Sequence, residues 1–182
     1  MSRIPPVDPA AAQGKVKELL SAVQQALGVT PNLFRVTAQS PAALEGLLGL
    51  NGALQRSKLP AKLREQIALR VAEKNHCDYC LSAHSVLGKH AGLAEGEIAE
   101  AREARAGDAK TTAALHFVSA VLAQAGGVSD TELASLRRAG FGDGEIVEIV
   151  AVTVLNILTN YLNRVAATDI DFPLVRARAA AA

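Results

Sequence analysis

Apolar residues recur along this chain every three or four positions, in runs broken by proline, glycine or a capping side chain. That period lays one apolar stripe along a helix, whereas a half-buried strand alternates at every second residue. Val16, Leu19, Leu20, Val23 and Leu27 form such a stripe within residues 9–27, and Gly28 is a plausible stop. Residues 28–32 read as a turn and 33–36 as a short apolar run. Ser40-Pro41, as N-cap and first-turn proline, starts a helix that reaches about residue 55 with Leu44, Leu47, Leu48 and Leu54 as its apolar positions. Pro60 opens a helix with Leu63, Ile67, Val71 and Lys74 in register, and residues 75–79 break the pattern. Further helices fit about 77–90, 94–105 and 109–125. Ser129-Asp130-Thr131-Glu132 has capping-box form and begins a short helix ending at Gly140, and Asp143 is an N-cap for the last long helix, 144–166. The β-branched run 147–154 is ambiguous alone; its length and flanking cap favour helix.

Composition agrees. The chain has 35 alanines, 3% aromatic residues and no tryptophan. Small side chains let helices approach closely, while sandwiches and barrels draw on β-branched and aromatic residues. The expectation is an all-α protein with short connections and antiparallel neighbours. At 182 residues and 49% hydrophobic content it is one folded domain, 1–182, with residues 1–14 as an N-terminal arm and 168–182 as a loose C-terminal tail. Nineteen Lys and Arg against 18 Asp and Glu leave a net charge of +1, so no basic field points to nucleic acid. The uncharged stretch 149–162 is short for a bilayer and reads as a buried core helix, so no membrane partner is expected. The first residues show no apolar signal segment, which points to a cytoplasmic protein.

The chemistry concentrates between Glu65 and His84. The only two cysteines are Cys77 and Cys80, in one C-x-x-C. At the first turn of a helix such sulfurs lie near unpaired N–H groups, where the dipole favours thiolate, and they can close a disulfide. Four residues on, His84 shares the face of Cys80 and can take its proton. If the two helices turn near Asn75, Glu65 and His84 come to similar heights, bridgeable by the Glu side chain and one water. The relay so read is carboxylate to imidazole to thiol.

The same residues admit a zinc reading, with Cys77, Cys80 and His84 as ligands and His76 or Glu65 as the fourth, and a third in which the thiols are buried and inert. Structural zinc usually recruits a second ligand pair from a distance, and the chain has no other cysteine, so no metal is expected. Thr153, Asn156, Asn160 and Asn163 make a polar stripe on an apolar helix, either lining a pocket opposite the thiols or sealing a helix or subunit seam. His76 either biases Cys77 or is a solvated turn residue, while His90 and His116 have no partner spacing. Arg164 is a surface or interface ion-pair candidate.

The spacing Glu65, Cys77, Cys80, His84 (E-x11-C-x2-C-x3-H) resembles the core motif of the alkylhydroperoxidase D-like (AhpD-like) proteins of the carboxymuconolactone decarboxylase superfamily. Gly28-Val-Thr-Pro-Asn-Leu-Phe-Arg35, followed by Ser40-Pro41, resembles the N-terminal extension of its uncharacterised peroxidase-related branch, and Asn160-Tyr-Leu-Asn-Arg164 resembles that branch's last helix. The likeness spans about residues 15–172. It implies an AhpD-like helical bundle with the C-x-x-C at a helix N-terminus, self-association into trimers or hexamers, and thiol-dependent reduction of alkyl hydroperoxides without an organic cofactor. By carry-over, Cys80 is the attacking cysteine, Cys77 the proton donor and resolving partner, and Glu65 with His84 the proton relay. An unidentified dithiol then resets the disulfide. Tyr79 departs from the pattern, standing where the family's peroxidases carry histidine, and a phenol is a poor base near neutral pH. The family's decarboxylases lack the cysteine pair. A non-enzymatic redox sensor or partner-binding helical oligomer, in which the disulfide alters assembly, is the competing function.

Overall fold

The computed structural model describes residues 1–178 and is helical throughout, with no strand among them. Its elements are α1 (Gly14–Leu27), α2 (Asn32–Thr37), α3 (Pro41–Leu54), α4 (Ala61–Lys74), α5 (Asp78–His90), α6 (Glu95–Arg102), α7 (Ala109–Ala123), α8 (Asp130–Arg138) and α9 (Asp143–Ala166). The capping chemistry explains most boundaries. Ser40 Oγ accepts the Ala43 N–H at 3.3 Å and Asp108 Oδ1 the Thr111 N–H at 2.8 Å. Ser129 accepts from Glu132 N–H at 3.2 Å while the Glu132 carboxylate takes the Ser129 N–H at 2.7 Å. One cap differs from expectation: Gly142 is the N-cap of α9, Asp143 is already helical, and Glu145 reaches back to the Gly142 N–H at 2.9 Å. The short run after Pro31 is itself a helix, α2, too brief to show a period.

Helix α4 is the centre of the bundle, packed by α5, α6, α7 and α9. It is buried around most of its circumference, through Leu63, Gln66, Ile67, Ala68, Leu69, Val71, Ala72 and Glu73. Lys74, placed in the apolar register from sequence, is exposed. Each fully buried aliphatic side chain here, such as Ile67 or Leu69, contributes about 1.5–3 kcal/mol. A satellite cluster of Ala12, Leu20, Ala38 and Leu44 holds α1 to α3.

Helix α9 lies against α2, α3, α4, α5 and α7. Its 24 residues are long and apolar enough to cross a membrane by length and composition, which the shorter stretch considered in the sequence is not. Its inner face, however, is built into the core and holds the buried Thr153, Asn156, Asn160 and Asn163.

The described part of the C-terminal tail is not loose. The Val175 N–H donates to Ser82 Oγ at 2.9 Å, Ala177 N–H to Asp78 Oδ1 at 2.8 Å and Arg178 N–H to Glu73 Oε1 at 2.8 Å. Arg102 donates to the Arg176 carbonyl at 2.8 Å. An extended chain with Pro173 lacks helical donors of its own, so side chains of α4, α5 and α6 supply its partners. It becomes a strap across the start of α5. Residues 179–182 of that tail lie outside the described residues. The N-terminal arm is pinned to the same end: Arg3 N–H meets the Ala166 carbonyl at 2.6 Å, and Ser2 bonds Asp169 through N and Oγ, both at 3.0 Å.

Candidate functional site

The cysteine pair is placed by the turn that ends α4. The Cys77 N–H returns to the Ala72 carbonyl and the His76 N–H to the Glu73 carbonyl, a Schellman closure. Its left-handed position falls on His76, at φ 50°, where glycine is usual. Cys77 is thereby delivered as the N-cap of α5, and its Sγ accepts the Cys80 N–H at 3.2 Å. Cys77 and Cys80 form a disulfide with Cα atoms 5.3 Å apart. His76 itself is exposed and makes no hydrogen bond to either sulfur, consistent with a solvated turn residue, and His90 and His116 are likewise exposed.

Both cysteines are nearly sealed, at 1% exposure for Cys77 and 3% for Cys80. Only Cys80 lines the adjoining cavity of about 230 Å³. Leu33 and Phe34 of α2, Leu47 and Leu54 of α3, Leu155 of α9 and Phe172 of the strap make its apolar walls. Glu65 and His84 stand in the same wall, with Glu65 Oε2 at 2.8 Å from His84 Nδ1. The contact is direct where the sequence arithmetic invoked a water: α4 and α5 lie closely side by side. No hydrogen bond joins the imidazole to either sulfur among the described residues, so the direct Cys80–His84 pair expected from four-residue spacing does not form. Nδ1 is taken by Glu65, leaving Nε2 as the nitrogen free to exchange a proton with a bound molecule.

Tyr79, next to Cys80, is a fastener. Its hydroxyl oxygen accepts the Leu33 N–H at 3.0 Å, and its ring meets Phe172 edge-on at 5.7 Å. Burial foremost, then the Asp171 carboxylate nearby, push its pKa well above the ordinary phenol value, so it stays neutral. It joins α5 to α2 and to the strap rather than carrying protons.

The polar stripe of α9 divides. Thr153 and Asn156 bond back to their own helix, at the Ile149 and Val152 carbonyls. Asn160 accepts from Asn75 at the end of α4, at 3.1 Å, and so seals the helix seam. Asn156 and Asn163 line the cavity, and the Asn163 amide donates to Cys80 Sγ at 3.4 Å. Arg164 is exposed. Sequence reasoning did not assign Leu33, Phe34, Asp171 or Phe172 to the site. They come from α2 and the strap, and no local spacing relates them to the cysteines.

As for zinc, a disulfide leaves neither sulfur free to ligate. Among the described residues no three His, Cys, Asp or Glu side chains gather closely enough to hold a metal ion.

What the fold and this geometry define is an AhpD-like all-helical protein with a dithiol–disulfide pair capping a buried helix. Residues 41–123, from α3 to α7, match the model of the carboxymuconolactone decarboxylase family. No curated protein matches the chain. Among solved structures it resembles an uncharacterised peroxidase-related protein with an alkylhydroperoxidase AhpD core from Ralstonia eutropha, at TM-score 0.84 and 23% identity over 93% of this chain and 92% of that one. The debrominase Bmp8 is similar in fold at TM-score 0.78, with 21% identity over 92% and 91%. A protein of unknown function from Agrobacterium tumefaciens, described as a candidate antioxidant defence protein AhpD, is similar at TM-score 0.68 and 27% identity, covering 74% of this chain and 94% of that one.

Proposed function

We propose that this protein is a cytoplasmic thiol peroxidase that reduces alkyl hydroperoxides through Cys77 and Cys80. The observation that supports this best is the placement of the Cys80 sulfur, but not Cys77, on an apolar cavity whose wall also holds the Glu65–His84 pair. In the reduced protein, the Cys80 thiolate attacks the terminal oxygen of the hydroperoxide. A sulfur–oxygen bond forms, the oxygen–oxygen bond breaks, and the alkoxide takes a proton from the imidazole, which Glu65 orients. Cys80 is left as sulfenic acid. The Cys77 thiolate then attacks that sulfur, expelling hydroxide, which leaves as water once protonated, and the Cys77–Cys80 disulfide closes. An external dithiol supplies two electrons and two protons to reopen it.

The test is steady-state consumption of cumene hydroperoxide by the full chain with dithiothreitol as reductant. Cys80→Ser abolishes turnover, while Cys77→Ser, reduced and then freed of dithiothreitol, still consumes one equivalent and accumulates a dimedone-reactive sulfenic acid. Absence of turnover in the unaltered chain overturns the reading. 2,3,4-Tribromopyrrole is a second substrate to offer, since the Bmp8 fold is shared.

The competing sensor function has its own support. The first turn of α5 holds the strap through Asp78 and Ser82, so opening the disulfide beside them could change a surface. One-equivalent oxidation without turnover, accompanied by a change in assembly, favours it.

We also propose that the chain self-associates through the outer face of α9. Val147, Val154, Leu158, Tyr161 and Val165 are exposed there. Their positions are roughly symmetric about residue 156, so an antiparallel second copy sets Val147 opposite Val165 and Val154 opposite Leu158. A two-fold seam of this kind gives a dimer or, combined with a threefold axis, a hexamer. Leu158→Glu lowers the mass measured by sedimentation; an unchanged mass, or a monomeric unaltered chain, overturns the seam.

A further inference from the structure

Four asparagine or threonine side chains lie buried on the inner face of α9, and three of them bond within or between helices. Thr153 and Asn156 bond their own helix, and Asn160 accepts from Asn75 through Oδ1, its Nδ2 being buried without a partner. Asn163 differs in what it bonds. It is 3% exposed, its Oδ1 is buried with no hydrogen-bond partner, and the one hydrogen bond of its side chain runs from Nδ2 to Cys80 Sγ. A disulfide sulfur carries no hydrogen and can only accept, so it is the NH2 of the amide that faces it.

The backbone does not provide this for Cys80. The helix N-terminus was expected to serve both sulfurs, yet the Cys80 N–H is directed at Cys77 Sγ. The imidazole of His84 is held by Glu65 and makes no bond to sulfur. Asn163, reached across 83 positions of sequence, is thus the hydrogen-bond donor that Cys80 Sγ has among the described residues. A buried thiolate without a donor is strongly disfavoured, and a donor to the charged form favours it. The bond to a neutral disulfide sulfur is weak; with a thiolate acceptor it becomes charge-assisted and roughly twice as strong.

We propose that Asn163 is a catalytic residue: its side-chain amide is the donor that stabilises Cys80 as a thiolate, making Cys80 the attacking sulfur of the pair. The proposal deepens the peroxidase reading but is measured independently of any substrate.

The test uses the reduced full-length chain with one cysteine at a time. Cys77→Ser reports Cys80, and Cys80→Ser reports Cys77, each by the rate of iodoacetamide alkylation across pH. Asn163→Leu raises the Cys80 midpoint by about one pH unit or more, a tenfold loss of thiolate below the midpoint. The Cys77 midpoint stays where it was. Asn163→Asp, of equal size but negatively charged, raises the Cys80 midpoint at least as far, and it serves alone if the leucine variant does not fold. An unmoved Cys80 midpoint overturns the proposal. So does an equal shift of both cysteines, which is what a general disturbance of packing produces. A chain that shows the selective shift yet consumes no hydroperoxide overturns the peroxidase reading and leaves this role of Asn163 standing.

Discussion

Glu65 Oε2 lies 2.8 Å from His84 Nδ1, and this contact joins α4 to α5 across a 19-residue separation beside the Cys80 cavity. A carboxylate on Nδ1 fixes which nitrogen faces the cavity. In the proposed peroxidase reaction this pair delivers the proton to the departing alkoxide, with Cys80 activated by other means.

Glu65→Gln keeps a side chain of the same length but removes the charge that orients the imidazole. Peroxide turnover falls by about 10²-fold, the lower end of what a positioned acid or base contributes. His84→Ala falls at least as far. Stopped-flow oxidation of the reduced chain checks both, and the double variant should lose little more than His84→Ala alone, because the two residues act as a unit.

Phe172 closes one side of the cavity and rests on Tyr79. Phe172→Ala widens the cavity at the cost of a half-buried ring, about 1–2 kcal/mol, less than the loss at a fully buried site. The expected outcome is a lower thermal midpoint and a KM that falls for hydroperoxides bulkier than cumene hydroperoxide relative to smaller ones. Equal KM ratios before and after the change contradict the wall assigned to Phe172.

His76 occupies the left-handed position of the turn at φ 50°. An L side chain there costs about 1–2 kcal/mol, which glycine avoids while adding unfolded-chain entropy. His76→Gly therefore raises stability by about 0.5–1 kcal/mol in chemical denaturation, and leaves the alkylation profile of Cys80 intact.

Asp108 caps α7, and hydrogen bonds from the Thr111 backbone and side chain hold its carboxyl below the ordinary aspartate range. With a folded-state pKa lower than the unfolded one, its contribution is complete above about pH 4 and is lost as pH falls through the depressed value. Asp108→Ala costs about 1 kcal/mol at pH 7 and progressively less in acid. Asp108→Asn, which caps without titrating, removes that slope. Denaturation midpoints at pH 7 and pH 3 distinguish them.

Much of the architecture was legible in the chain because its causes are local. Ser40 and Ser129 cap by reaching three residues ahead, and Gly28 stops α1 in a left-handed conformation, at φ 75°. These depend on nearby residues alone. So does the cysteine pair, since one helical turn sets the distance from Cys77 to Cys80. Helix α2 escaped because six residues are too few to display a period. The tail looked loose because its partners, Ser82, Asp78 and Glu73, lie about a hundred positions away.

Sequence by itself determined an all-helical chain and the four residues Glu65, Cys77, Cys80 and His84, whose mutual spacing follows from helix geometry. Tertiary structure alone decided how they are used. It turned His84 toward Glu65 instead of sulfur, made Tyr79 a fastener, opened the cavity to Cys80 and not Cys77, and brought Asn163 to that sulfur. Periodicity can say which face of a helix is buried. Which partner a buried polar atom meets depends on the packing of helices far apart in the chain, because a hydrogen bond is won or lost within about an ångström.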